Sequence, residues 1–166
     1  MKLCVIGTGY VGLVSGTCFA DIGNDVICTD NDINKIKNLN LGKIPIYEPG
    51  LEEMVKRNIN QGRLKFSNDI SNAIKKSDII FICVGTPTNK KTNDANLKYV
   101  FQVAKKIKSN LNKYKIIVTK STVPVTTGDK IENILNKNKY KIVITKSTVP
   151  VTTGDKLEKI FKSKIK

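Results

Sequence analysis

Short, unbroken apolar runs recur along the chain and predict buried strands. The longest run covers residues 79–84, and shorter ones cover residues 3–6, 26–28 and 116–118. Strands that are buried on both faces of a parallel sheet have continuous apolar sequences of this kind. Residues 64–66 alternate apolar and polar side chains instead, which is typical of a strand at the edge of a sheet.

Apolar residues at helical spacing occupy the segments between the predicted strands. They recur every three or four positions in residues 11–22, 33–39, 51–55 and 97–107, and Asp32 is placed to cap the second of these helices. Alternating strands and helices are typical of a doubly wound parallel sheet. We therefore predict a single-domain, Rossmann-like α/β fold with strand order 3-2-1-4-5-6, in which the third strand lies at an edge.

The last third of the chain contains an internal duplication. Residues 139–162 repeat residues 113–136 with six differences, and each copy keeps the pattern of a strand, a turn and an amphipathic helix. We predict a Rossmann domain over residues 1–138 and an extra strand–turn–helix unit over residues 139–166. The sequence leaves two arrangements of the copies open. Residues 142–144 could form a sixth strand beside the fifth, or either copy could supply the fifth strand of the sheet. A sixth strand would leave an apolar edge, so we expect self-association.

Composition restricts the possible chemistry. The 166 residues are 40% hydrophobic and 26% charged, which is typical of a globular protein. The absence of histidine excludes a Ser–His–Asp triad, histidine acid–base chemistry and a histidine metal site. The four cysteines form no C-x-x-C pair, which favours reduced, buried thiols in a cytoplasmic protein over a disulfide frame or a zinc site. We therefore expect no metal.

Positive charge is concentrated in the second part of the chain. The net charge is +15, and residues 101–166 carry 16 basic and 4 acidic side chains. Such an excess indicates either a patch for nucleic acid or a solvated, lysine-rich surface. We favour the solvated surface and expect no nucleic-acid ligand, because Arg57 and Arg63 are the only arginines and no recognition motif is present.

Residues 3–20 carry no charged side chain and are about as long as a minimal membrane span. The stretch nevertheless holds four glycines and interspersed hydroxyl side chains, which lower its hydrophobicity. A strand, a glycine turn and a helix explain it better than a leader peptide or a membrane span. We therefore expect no membrane association.

The glycines at the start of this stretch predict a dinucleotide site. Residues 7–12 have the pattern G-x-G-x-x-G after an apolar strand and before a helix, and a second strand ends at Asp30. In this pattern Gly7 allows a tight turn, Gly9 lets a pyrophosphate approach the backbone, and Gly12 lets helix and strand pack closely. The helix N-terminus favours the phosphates, and a carboxylate at Asp30 accepts hydrogen bonds from ribose hydroxyls but repels a 2′-phosphate. The predicted cofactor is therefore NAD.

Three hydroxyl side chains follow the fourth and fifth predicted strands, namely Thr86, Ser121 and Thr122. Ligands of open α/β sheets lie outside the carboxyl ends of the strands, where these side chains would meet a cofactor or a substrate. Serine and threonine also commonly cap helices, and the spacing does not choose between the two roles.

Several stretches together resemble the N-terminal NAD-binding domain of the UDP-glucose 6-dehydrogenases, in the UDP-glucose/GDP-mannose dehydrogenase family. The similarity covers about residues 1–136 and includes the segments MKLCVIGTGYVGLVSGTCFADIG, GKIPIYEPGLEEMV, GRLKFSNDI, FICVGTPT and VTKSTVPV. The resemblance implies an oxidoreductase that converts UDP-glucose to UDP-glucuronate with two NAD. It also implies that NAD is contacted by the matching residues Tyr10, Val11, Asp30, Lys35, Thr86 and Thr122.

The chain also departs from this family's pattern. Asn24 stands where histidine is usual and Thr126 where glycine is usual, and no substrate domain or G-G-S-C nucleophile follows. No cysteine matches the catalytic position, so we assign no catalytic residue and expect these residues alone to be inactive. UDP-glucose would then require a complementary half. The alternative is a non-catalytic module that binds a nucleotide or a protein partner.

Overall fold

The computed structural model describes residues 1–89, 95–124, 126–135 and 141–146. These residues form a parallel six-stranded sheet with helices on both faces. The strands are β1 (Lys2–Ile6), β2 (Asp25–Thr29), β3 (Leu64–Ser67), β4 (Ile79–Ile82), β5 (Lys115–Thr119) and β6 (Lys141–Thr145). The helices are α1 (Tyr10–Asp21), α2 (Ile33–Asn40), α3 (Leu51–Asn60), α4 (Ile70–Lys76), α5 (Lys98–Asn110) and α6 (Thr127–Ile134).

The sheet has the predicted order, β3-β2-β1-β4-β5-β6, and each neighbouring pair is parallel. This confirms the Rossmann-like fold class. The third strand lies at an edge, as its alternating sequence predicts, with Leu64 and Phe66 buried and Lys65 exposed. The strand order reverses between β1 and β4, and crevices for ligands occur beyond the carboxyl ends of strands at such a switch point.

Alternate residues of each central strand enter two separate hydrophobic cores. In β1, Leu3 and Val5 pack with α1, α2 and α3, whereas Cys4 and Ile6 pack with α4, α5 and α6. Because both faces of β1 are covered, every residue from Leu3 onward is buried. This two-sided burial explains why the central strands have unbroken apolar sequences.

Two local features differ from the sequence prediction. Helix α4 was not predicted, although Asp69 caps it by accepting a hydrogen bond from the amide of Asn72 at 3.0 Å. Strand β4 ends at Ile82 rather than at residue 84. Just beyond the strand, the Cys83 carbonyl passes so close to Gly7 that a Cβ there would stand 2.7 Å from the Cys83 oxygen.

The structure separates the two copies of the duplication. The first copy supplies β5 and α6, and the second begins with β6, which pairs with β5 so that Thr119 lies opposite Thr145. The prediction of a sixth strand is therefore confirmed, and the predicted turn and helix of the second copy lie outside the described residues. On β6, Ile142 is 47% exposed and Ile144 is 43% exposed, which gives this edge an apolar character.

A buried lysine joins β5 to the end of α4. Lys115 is fully buried, and its ammonium donates hydrogen bonds to the carbonyl oxygens of Lys75 and Ser77. Burial lowers the pKa of Lys115 below its usual range. The pairing with two carbonyls offsets part of the cost of burying a charged group.

Candidate dinucleotide-binding site

The turn between β1 and α1 requires two of its glycines for steric reasons. Gly7 has a φ of 100°, a conformation that side chains with a Cβ rarely adopt. A Cβ on Gly12 would stand 1.8 Å from the Gly7 carbonyl oxygen, so only glycine lets α1 pack directly on the turn. Both observations agree with the predicted conformational roles of these two glycines.

Gly9 differs from the other two glycines because the space beside it is open. It is the N-cap of α1, and no atom lies within 4 Å of the position that a Cβ would occupy. The first amides of a helix have no partners within the helix and carry partial positive charge. The backbone at Gly9 is therefore accessible to an anionic group at the tip of α1.

The carboxylate of Asp30 stands at the end of β2, directly beside the glycine turn. Its Oδ2 atom accepts hydrogen bonds from the Thr8 amide at 2.9 Å, the Thr8 hydroxyl at 2.7 Å and the Lys35 ammonium at 3.1 Å. Burial opposes ionisation, but the bonds from Thr8, Asp32 and Lys35 outweigh it and hold the pKa of Asp30 below its ordinary value. Asp30 is consequently an ionised acceptor with a fixed position.

Lys35 is positioned by the start of α2. As predicted, Asp32 caps this helix, and its Oδ1 atom accepts a hydrogen bond from the Lys35 amide at 3.0 Å. The Lys35 side chain then points back to Asp30, where the pair forms an ion pair with side-chain exposures of 29% and 11%. A cation and a carboxylate therefore stand together at the same edge of the sheet.

A cavity of about 570 Å³ opens beyond β1, β2 and β4 and brings part of the predicted site together. Gly7, Gly9, Asp30 and Lys35 line it. Tyr10, Val11, Gly12, Thr86, Ser121 and Thr122 are not among its lining residues. The cavity has the size of a pocket for a small ligand and is mostly apolar with a few polar groups, as such pockets usually are.

Helix α5 forms the opposite wall of this cavity, and this wall was not predicted from the sequence. Tyr99, Gln102 and Lys106 line the cavity from α5, and Ile70 lines it from the start of α4. The spacing of these α5 residues, three and four positions apart, places them on one face of the helix. That spacing was visible in the sequence. The cavity itself was not, because it forms only when the crossover from β4 to β5 places α5 against the sheet.

The loops after β4 and β5 are joined by their hydroxyl side chains. The Thr86 hydroxyl donates a hydrogen bond to the Thr122 carbonyl at 2.9 Å, and the buried Ser121 hydroxyl donates to the Val84 carbonyl at 2.6 Å. The residues that cap the following helices, α5 and α6, are Leu97 and Thr126. In the described part of the chain, therefore, none of Thr86, Ser121 and Thr122 caps a helix.

Two further contacts reach α1. One comes from the loop after β5, and the other comes from the segment before α3. The Lys120 ammonium donates to the Ser15 hydroxyl at 2.8 Å and so joins the end of β5 to α1. The Tyr10 hydroxyl, at the first position of α1, donates to a carboxylate oxygen of Glu48. Neither contact was predicted, because each joins residues that are far apart in the sequence.

Three of the four thiols lie in environments that disfavour the thiolate. Cys4, Cys28 and Cys83 are buried, and burial raises the pKa of Cys4 to about 12 and that of Cys83 to about 11. Burial raises the pKa of Cys28 further still. Cys83 lies just beyond β4 rather than inside the strand as predicted. All four cysteines are free, and Cys18 is exposed on α1.

The described residues contain neither a candidate membrane span nor a candidate metal site. None of the helices in this part of the chain combines the length and apolar character needed to cross a bilayer. The same residues contain no group of three or more cysteine, aspartate or glutamate side chains arranged to hold a metal ion.

A parallel sheet of order 3-2-1-4-5-6, a glycine turn at its switch point and an ionised carboxylate at the end of β2 define a dinucleotide-binding domain of the Rossmann type. The sequence model of the UDP-glucose/GDP-mannose dehydrogenase family, NAD binding domain, matches residues 1–140. The chain belongs to this family, and the cofactor of the domain is NAD.

Individual relatives agree with this assignment. The chain is 59% identical over 136 residues to the UDP-glucose 6-dehydrogenase TuaD of Bacillus subtilis, which is 82% of this chain and 29% of that enzyme. It is 51% identical over 137 residues to the UDP-glucose 6-dehydrogenase of Rhizobium meliloti, which is 82% of this chain and 31% of that enzyme. The chain therefore spans about 30% of the length of these relatives.

Solved structures show the same fold. A GDP-mannose dehydrogenase from Pseudomonas aeruginosa, solved as a ternary complex, matches with a TM-score of 0.82 and 31% identity over 98% of this chain and 44% of that chain. A UDP-glucose dehydrogenase from Pyrobaculum islandicum matches with a TM-score of 0.78 and 32% identity, covering 88% of this chain and 35% of that chain.

Proposed function

We propose that NAD lies across the carboxyl ends of the strands, with its diphosphate at the tip of α1 and its adenine ribose at Asp30. One observation carries this proposal: the ionised Asp30 carboxylate lines the same cavity as Gly7 and the sterically open Gly9. The adenine ring would then lie against α5, where Tyr99 and Gln102 offer an aromatic face and an amide.

The same geometry supports a preference for NAD over NADP. Asp30 accepts hydrogen bonds through both oxygens and is held ionised, so it is ready to accept from the ribose hydroxyls. A 2′-phosphate at this position would place two anions side by side, which is unfavourable in a partly buried site.

We propose that the remaining predicted residues serve the diphosphate and the part of NAD beyond it. Tyr10 and Val11 occupy the first turn of α1, where a diphosphate would contact the helix. Thr86 and Thr122 belong to the two bonded loops, and Thr122 is exposed. Ser121 supports these loops from below through its bond to Val84.

The activity proposed for the whole protein is that of its relatives, the oxidation of UDP-glucose to UDP-glucuronate with two NAD. Oxidation of the aldehyde through a thiohemiacetal requires an accessible, activated thiolate. Cys4, Cys28 and Cys83 are buried and have raised pKa values, which is the opposite of activation. The exposed Cys18 lies on α1 and is not among the residues that line the cavity. We therefore propose that these 166 residues bind NAD and that UDP-glucose is oxidised only when a complementary half supplies the thiolate.

Calorimetry with NAD and NADP, combined with absorbance at the NADH band, tests this function. The isolated chain is expected to bind NAD more tightly than NADP and to form no NADH when UDP-glucose and NAD are added. Absence of heat with NAD would overturn the binding proposal. Steady NADH formation from UDP-glucose would instead overturn the proposal that these residues are inactive alone.

We further propose that copies of the chain self-associate and that the protein is cytoplasmic. Self-association is supported by the two half-exposed isoleucines on β6, because an apolar edge strand is a template for pairing with a second copy. A cytoplasmic location is supported by the four free cysteines, since proteins of oxidising compartments commonly pair their cysteines.

A further inference from the structure

The segment before α3 touches the predicted cofactor site at one point. Tyr10 occupies the first position of α1, the residue is 55% exposed, and its hydroxyl donates a hydrogen bond to Glu48. The two residues are 38 positions apart in the sequence. This contact connects residues 43–50 to the helix tip that is proposed to hold the diphosphate.

Glu48 is well placed to hold another side chain because its own backbone is anchored on both sides. Ile44 and Ile46 pack against the core formed by α1, α2 and α3. On the other side, the Glu48 carbonyl accepts a hydrogen bond from the amide of Leu51, the first residue of α3, at 3.1 Å. The backbone that carries Glu48 is therefore held by the core and by α3, and the bond to Tyr10 adds a third attachment, to α1.

An exposed tyrosine without a partner exchanges between rotamers, and fixing it on ligand binding costs conformational entropy. The bond to Glu48 restricts the Tyr10 ring before any ligand arrives. The hydrogen bond and the negative charge of Glu48 raise the pKa of Tyr10, so the phenol keeps its proton and remains the donor.

We propose that Glu48 is a positioning residue for NAD, which acts by holding the Tyr10 ring beside the diphosphate-binding tip of α1. This inference rests on the proposed NAD site. Glu48 itself contacts no part of the cofactor in this account. Its contribution is to order Tyr10 and to keep residues 43–50 against that side of the site.

Four single variants test the inference through NAD affinity. Glu48→Leu and Tyr10→Phe each break the bond and are expected to weaken NAD binding by about 2- to 10-fold, the range for one hydrogen bond. Glu48→Gln keeps an acceptor for the phenol and is expected to stay within about twofold of the unmodified chain. Tyr47→Phe is the matched control, because Tyr47 is 91% exposed, and no change is expected.

Two further measurements separate positioning from a general loss of structure. The double variant Tyr10→Phe/Glu48→Leu is expected to bind NAD no more weakly than either single variant, because both remove the same interaction. Adenosine, which lacks the diphosphate, is expected to bind all variants equally. Without any ligand, amide hydrogen exchange over residues 43–50 is expected to accelerate in both single variants but not in Glu48→Gln.

The outcomes also distinguish this inference from the NAD site on which it depends. An unmodified chain that fails to bind NAD overturns both. Normal NAD binding by the unmodified chain together with unchanged affinity in Glu48→Leu overturns the role of Glu48 alone. Unchanged hydrogen exchange in Tyr10→Phe, or equal weakening of adenosine and NAD, also overturns it.

Discussion

Replacement of Asp30 by alanine is expected to reverse the cofactor preference. A hydrogen bond from a ribose hydroxyl to an ionised carboxylate contributes about 1.5 to 3 kcal/mol, so NAD affinity is expected to fall by about 10- to 100-fold. NADP affinity is expected to rise, because the variant loses the anion and leaves Lys35 without its ion-pair partner. Lys106 lines the same cavity and adds a second cation for the 2′-phosphate.

The measurement is a calorimetric titration of each variant with NAD and NADP. Asp30→Asn keeps an acceptor oxygen and removes only the charge, so it is expected to retain more NAD affinity than Asp30→Ala. Asp78→Ala is the matched control: it also removes a carboxylate that is paired with a lysine, Lys113, but Asp78 does not line the cavity, so the preference is expected to stay unchanged. If Asp30→Ala still prefers NAD by the original ratio, the proposed role of this carboxylate is wrong.

The same carboxylate makes stability dependent on pH. The folded-state pKa of Asp30 lies below its unfolded value of about 3.9, so its contribution to stability is fully present above that value. The contribution is lost as the pH falls through the folded-state pKa. Acid unfolding of Asp30→Asn is therefore expected to show a weaker pH dependence in this range than acid unfolding of the unmodified chain.

Three further predictions concern the fold and the thiols. Lys115→Ala is expected to lower the free energy of unfolding in urea by about 1 to 3 kcal/mol, because the buried Ser77 carbonyl loses this donor. Lys113→Ala, at a half-exposed ion pair, is expected to cost less than about 1 kcal/mol. Equal losses would contradict this account of the buried ammonium. A thiol reagent is expected to modify Cys18 quickly and the three buried cysteines only after unfolding, and rapid labelling of all four would show that the cores are open. Ile142→Lys and Ile144→Lys are expected to reduce self-association in light scattering, and a monomeric unmodified chain would refute the proposed role of this edge.

Features that depend on local sequence patterns were predictable. The glycine turn, the Asp32 cap and the buried strands each depend on neighbouring residues and on a simple period, and the strand order follows from their alternation. The length of β4 was not predictable in this way, because Cys83 and Val84 continue its apolar run. Beyond Ile82 the backbone passes close to Gly7, in the turn that follows β1, and this approach exists only once the sheet has formed.

Features that depend on distant contacts were not predictable. The Tyr10–Glu48 bond joins segments that meet only after the sheet forms. The Asp30–Lys35 pair is closer in the sequence, five residues apart, but only the family resemblance implied it. Helix α4 did have a local signal, since Asp69 precedes Ile70 and apolar residues follow at helical spacing. The cavity wall on α5 follows from the crossover between β4 and β5 and not from the sequence of α5 alone.

Amide chemical shifts of the ¹⁵N-labelled chain during a titration with NAD would locate the cofactor directly. The largest changes are expected at residues 7–12, at Asp30 and in the loops that follow β4 and β5, with smaller changes along the α5 face that contains Tyr99. Changes confined to the lysine-rich surface, or no changes at saturating NAD, would contradict a dinucleotide site at the tip of α1.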